Sequence, residues 1–179
     1  MSSTSKSLPL VFGKVSGDEK DFPKIYERNI NVKVIDEGKG KFRVRASLFD
    51  LEHSFHAELL VDIASSTIEE ATAVLSRGPY PTYCPRALEN ARKLQGQVIG
   101  PGISRKTIEL LGRSQGCVHL VEVFQAAIGF TATLLIGRHS GLEQEYVASE
   151  EEHRQKWMPI LRNSCQVFRE EPSQQSKKT

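Results

Sequence analysis

The chain has 179 residues, 24 Lys and Arg against 22 Asp and Glu, a net charge of +2 and three cysteines. That length suits one domain of about 100–200 residues, the balanced charge lacks the basic footprint that nucleic acid or an anionic membrane calls for, and three thiols are too few for a disulfide framework. The apolar run 126–136 is shorter than the ~20 residues of a membrane span, and the opening MSSTSKSLPL lacks the apolar core of a secretory signal, so a cytoplasmic protein without nucleic-acid or membrane partners is expected.

In chain order, residues 1–25 are rich in Ser, Lys, Gly and Asp and read as a flexible N-terminal segment. Residues 26–168 form a single α+β domain and 169–179 a disordered tail. Val32 and Val34 mark a first strand, EGKGK supplies a Gly-rich turn, and Phe42, Val44, Ala46 and Leu48 alternate with Arg43, Arg45 and Ser47 in a second. A third runs through HSFHAELLVDI, with His53, Phe55, Ala57, Leu59 and Val61 in one phase, so that His53 begins the apolar face. Ile68 to Leu75 reads as a fourth, and the whole as a meander of three to four antiparallel strands.

Helical spacing then takes over. Pro85 suits a first helical position, Ala87, Leu88, Ala91 and Leu94 follow, and Gly96 lies just past the end. Cys84 therefore sits at a helix start. Ser104 is placed to cap a short helix through Leu111, and Cys117, Leu120, Val121, Phe124, Ile128, Thr131 and Leu135 form one stripe of another. A charged segment, 143–156, precedes a packed closing segment around Trp157, Ile160 and Leu161.

Two thiols at helix N-termini gain from the positive end of the helix dipole, which favours the thiolate. Together with His53 at a strand start, Cys84 and Cys117 offer ligands suited to zinc or iron. A fourth ligand is sought among His119, Cys165 and Asp50. His119 stands two residues from Cys117, so it shares a ligand sphere only if the first helical turn is irregular. As imidazoles with a reference pKa near neutrality, His119 and His56 are the candidate general acid or base. Tyr80 and Tyr83, in the rigid turn GPYPTY before Cys84, are candidates to line an adjoining pocket.

The series GPYPTYCPRALENARKLQGQVI and LLGRSQGCVHLVEVFQAAI resembles the bacterial domain-of-unknown-function 2889 family, whose hallmarks are a Cys after a Pro-containing turn, a later Leu-x-Gly and a Gly-Cys-x-His-Leu helix start. The resemblance covers roughly residues 26–165 and implies no agreed activity. More distantly, the layout resembles the iron-sulfur cluster scaffold fold of the NifU and SufE type, which implies helices packed on one face of the sheet. It also implies ligands at the positions of His53, Cys84 and Cys117. A His replaces the first Cys of that pattern, Phe55 stands where the scaffolds carry an acidic residue, and Gly116 where they carry a His. These departures suit a single bound metal better than a cluster that must be released.

Three readings follow. The first is a small-molecule enzyme using a Zn or Fe ion held by Cys and His, with an open coordination position. The second is a scaffold that hands iron-sulfur or metal cargo to partners. The third is a ligand-binding or structural domain with buried thiols and no metal. An open sheet edge also allows a homodimer.

Overall fold

The computed structural model describes residues 26–141 and 149–170. The expected flexible segment 1–25, the stretch 142–148 and the tail from 171 lie outside the described residues. Strands β1 (Arg28–Gly38), β2 (Lys41–Asp50), β3 (Ser54–Asp62) and β4 (Ile68–Arg77) form one antiparallel sheet in the order β1-β2-β3-β4. The alternation in the sequence drives this arrangement. Phe42, Val44, Ala46 and Leu48 stand opposite Val61, Leu59, Ala57 and Phe55, and all eight are buried. A shift of one residue would turn both rows to solvent.

Helix α1 (Ile103–Leu111) and helix α2 (Val118–Ser140) follow the sheet. Leu120, Phe124, Ile128, Thr131 and Leu135 of α2 are buried and belong to the stripe read from the sequence. By length and composition α2 could cross a membrane, but half of its most apolar window is buried inside the domain, as suits a core helix apolar on most of its circumference. Its position over the sheet is fixed at both ends by ion pairs to β1: Arg28 with Glu122 at 2.6 Å and Arg138 with Asp36 at 2.5 Å. The opposite face of the sheet carries a polar ladder instead, in which Glu58 accepts from Arg43 at 2.7 Å and from Arg45 at 2.8 Å.

Three expectations are corrected. The segment Cys84–Leu94 is wound as a 3-10 helix rather than an α-helix. It is held between fixed points, with Cys84 N donating to Tyr80 O and Gly96 N to Ile68 O, both at 2.8 Å. It still buries Ala87, Ala91 and Leu94. Helix α1 starts from Gly102, whose φ of 90° few side chains tolerate, and Ser104 lies inside the first turn. Helix α3 (Glu150–Leu161) buries none of its residues. It meets the short turn Gln166–Phe168, where Arg154 Nε donates to Val167 O at 2.7 Å. Trp157 and Leu161 are only half-buried and Ile160 is exposed, because α2 and the 3-10 segment already occupy the inner face of the sheet.

This difference predicts unequal stability losses in chemical denaturation. Phe55→Ala, which empties a site 1% exposed, should cost about 3–5 kcal/mol. Trp157→Ala should cost less than about 1 kcal/mol, as expected away from a packed core.

Candidate metal centre

The turn from β2 to β3 is short and is organised by a single carboxylate. Asp50 Oδ1 accepts from the backbone N–H of Glu52 at 2.9 Å and of His53 at 2.7 Å, the Asx-turn pattern by which Asp stabilises a tight bend. The same oxygen lies 2.9 Å from His53 Nδ1. The other oxygen, Oδ2, accepts from Arg28 Nε at 3.0 Å and stands 2.8 Å from Nη2 in the same ion pair. At the rear, Arg77 Nη2 donates to the Asp50 carbonyl at 2.6 Å.

Burial alone would raise the Asp50 carboxyl. The hydrogen bonds from the His53 ring, the Glu52 and His53 backbone and Arg28 outweigh it and hold the carboxyl well below the usual carboxylate range. An ionised carboxylate only accepts, so His53 Nδ1 must carry the proton of this contact. That leaves Nε2 as the ring nitrogen not engaged in this contact.

His53 itself is 9% exposed. It stacks on Phe55 at a centroid distance of 6.0 Å and faces the ring of His119 at 3.8 Å. His119 comes from the first turn of α2. Burial is the main cause that lowers its pKa below the ordinary histidine value, with the nearby His53 and Arg28 adding to it. It is therefore neutral near pH 7, the form in which an imidazole binds metal. One ligand atom from each of Asp50, His53 and His119 lies within 4.8 Å of the others.

Cys117 completes the surroundings. It is the N-cap of α2, with extended backbone (φ −145°, ψ 128°), so it is not in helical register with His119. The irregular start that the sequence made a condition is present, and Cys117 Sγ lies 3.8 Å from His119 Nδ1. The backbone reaches this position through Gly116: a Cβ there would stand 2.0 Å from the Leu111 carbonyl oxygen. Cys117 N donates to that same carbonyl at 2.8 Å. Gly116, noted in the sequence as a departure from the scaffold pattern, is thus what seats the thiol.

The other expected site residues are elsewhere. Cys84 opens the 3-10 segment and is half-buried; among the described residues neither it nor Cys117 joins a group of three whose ligand atoms close within that 4.8 Å limit, but Cys117 touches a member of the group, His119. Cys165 is exposed, on the far side of α3 in the chain. His56 is exposed on the polar face of the sheet, edge-on to Phe49 at 5.4 Å. Tyr80 and Tyr83 are 65% and 68% exposed, and Arg86 lies over the Tyr83 ring at 5.1 Å. A surface cavity of about 340 Å³ does adjoin the centre, lined by Tyr26, Arg28, Asp50, Leu51 and His53 among others. Sequence reasoning missed Arg28 and Glu122 altogether. The Asp-x-x-His spacing at a predicted turn was a usable signal for the Asp50 to His53 contact.

Gly116→Ala tests how the thiol is seated. Overpacking of this severity should destabilise the protein by about 1–3 kcal/mol or more, and thiol-reagent kinetics should show Cys117 displaced, whereas Gly129→Ala, where a Cβ meets nothing within 4 Å, should be tolerated.

No curated protein and no solved structure matches this chain. Residues 26–132 match the family described as "Protein of unknown function (DUF2889)". That span covers every strand, the 3-10 segment, α1 and most of α2, and with them Arg28, Asp50, His53, Cys117 and His119. The chain belongs to the DUF2889 family.

Proposed function

We propose that the protein binds one divalent transition-metal ion, Zn or Fe, through His53 Nε2, His119 and the Cys117 thiolate, and that it acts as an enzyme on a small molecule. The observation that carries this reading is the saturation of Asp50. Its two oxygens already accept four hydrogen bonds, from Glu52 N, His53 N, His53 Nδ1 and Arg28 Nε, and a second Arg28 nitrogen stands 2.8 Å away. Asp50 is therefore an outer carboxylate rather than a ligand. A carboxylate that fixes one ring nitrogen of a histidine and leaves the other bare is the usual support of a metal-bound imidazole.

The chemistry of the donors suits the ion, and the thiol has to close further on the His53 and His119 pair to share it. In a tetrahedral site with a Zn–S distance of about 2.3 Å and a Zn–N distance of about 2.0–2.1 Å, the sulfur and nitrogen are about 3.6 Å apart. The 3.8 Å between Cys117 Sγ and His119 Nδ1 is close to that value before any adjustment. Two imidazoles and one thiolate suit a single borderline ion better than a cluster, which is held mainly by thiolates.

Three protein ligands leave one coordination position, the arrangement of catalytic rather than structural sites. A bound ion would supply Lewis-acid chemistry beside the cavity lined by Tyr26 and Leu51. The chain's own contribution is to disfavour the charged form of His119 by burial and to keep a proton on His53 Nδ1 through Asp50.

Elemental analysis of the purified full chain tests this reading. About one Zn or Fe per chain is expected in the wild type, lost in His53→Ala, His119→Ala and Cys117→Ser and retained in Cys84→Ser and His56→Ala. A wild type free of metal after reconstitution with zinc and with iron would contradict it, as would loss of metal in Cys84→Ser with retention in His119→Ala.

A further inference from the structure

The two histidines come from parts of the chain with no local connection. His53 follows β2, and His119 lies beyond the whole sheet and three intervening segments. For them to meet at 3.8 Å, something must hold the β2–β3 turn and the first turn of α2 in a fixed relation. The apolar contacts of Phe55 and Phe124 bring the elements together but set no direction for polar rings.

Arg28 spans this gap. Its Nε and Nη2 hold Asp50 Oδ2 at 3.0 and 2.8 Å, and its Nη1 donates to Glu122 Oε2 at 2.6 Å. All three contacts use one planar guanidinium, whose donors have a fixed relative geometry. Of the two carboxylates it holds, one is bonded to a histidine and the other lies one helical turn from the second histidine. Asp50 accepts the His53 Nδ1 proton. Glu122 stands three residues after His119, and residues so spaced are neighbours on a helix surface.

We infer that Arg28 is the positioning residue of the centre: through Asp50 it fixes the tautomer of His53, and through Glu122 it fixes the approach of His119. This inference rests on the His53, His119 and Cys117 reading for its effect on metal, while its effect on the His53 tautomer stands without a metal. Arg28 occupies the first position of β1 and reaches its partners across 22 and 94 residues of sequence. Neither contact can be supplied locally by the turn or by the helix. With Arg28 removed, Asp50 Oδ2 loses the Nε donor and its counter-charge together, and the carboxylate that selects Nδ1–H on His53 is less firmly held.

The test uses the full chain labelled with 15N at histidine, metal-free at about pH 8. Long-range proton–nitrogen spectra report the tautomer, and competition with a chromophoric chelator reports zinc affinity. In the wild type His53 should be a single Nδ1–H tautomer. In Arg28→Met it should become a mixture, with zinc bound about 10–100-fold more weakly, the range typical for loss of outer support. Arg28→Lys should fall between, since an ammonium restores the charge but not the fork. Glu122→Gln should weaken zinc while leaving the His53 tautomer intact, a separation that general destabilisation does not produce.

A His53 tautomer in Arg28→Met identical to wild type, or a zinc affinity within a factor of about two of wild type, overturns the inference. If the wild type binds no zinc, the metal reading falls and the tautomer alone decides the role of Arg28. If Arg28→Met does not fold, Arg28→Lys and Glu122→Gln decide it: unchanged tautomer in the first with unchanged zinc affinity in the second overturns the inference, and the shifts described above sustain it.

Discussion

The Asp50 carboxylate is the constraint from which the centre is built. A buried anion is costly unless its acceptor positions are filled, and here they are filled from three directions: the turn's own backbone, the His53 ring and the Arg28 fork. Each of these donors is positioned by the same carboxylate that it satisfies. The turn closes at Asp50, His53 is oriented by it, and β1 is drawn toward α2 because the arginine that pairs with Asp50 also pairs with Glu122. The polar end of the sheet is thereby specified by charge and hydrogen bonding, while the rest of the domain is specified by apolar alternation.

The two halves of the centre use different local physics. On the sheet side, an Asx turn places His53 at the head of an apolar row, buried against Phe55. On the helix side, Gly116 lets the backbone pass over the Leu111 carbonyl, so that Cys117 caps α2 from outside the helix and its sulfur turns toward His119. A residue with a side chain at position 116, or a regular first turn at 117, would separate the thiol from the imidazole. The chemistry of the site therefore depends on a backbone irregularity as much as on the ligands' identities.

Much of this was legible in the sequence. The alternation from Phe42 to Val61 fixed the strands and their faces, since only one register buries both rows, and it placed His53 on the inner side. The 3.6-residue stripe of α2 was equally plain, because its apolar residues recur over about five turns. What was not legible has a common cause. The winding of Cys84–Leu94, the exposure of α3 and the role of Arg28 are decided by contacts between segments distant in the chain, which leave no periodic mark. Cys84 and Cys117 looked alike because each opens a helical segment beside a glycine- or proline-containing turn. Their difference lies in what stands across from them: the His119 imidazole for Cys117, itself part of the Asp50, His53 and His119 group that Cys84 does not join.

The most direct test of the ligand set is X-ray absorption at the zinc edge on the reconstituted full chain. The account predicts a first shell with one sulfur at about 2.3 Å and two imidazole nitrogens at about 2.0–2.1 Å, completed by one light atom. A shell without sulfur, or with two sulfurs, would contradict the assignment of Cys117, His53 and His119 as the ligands.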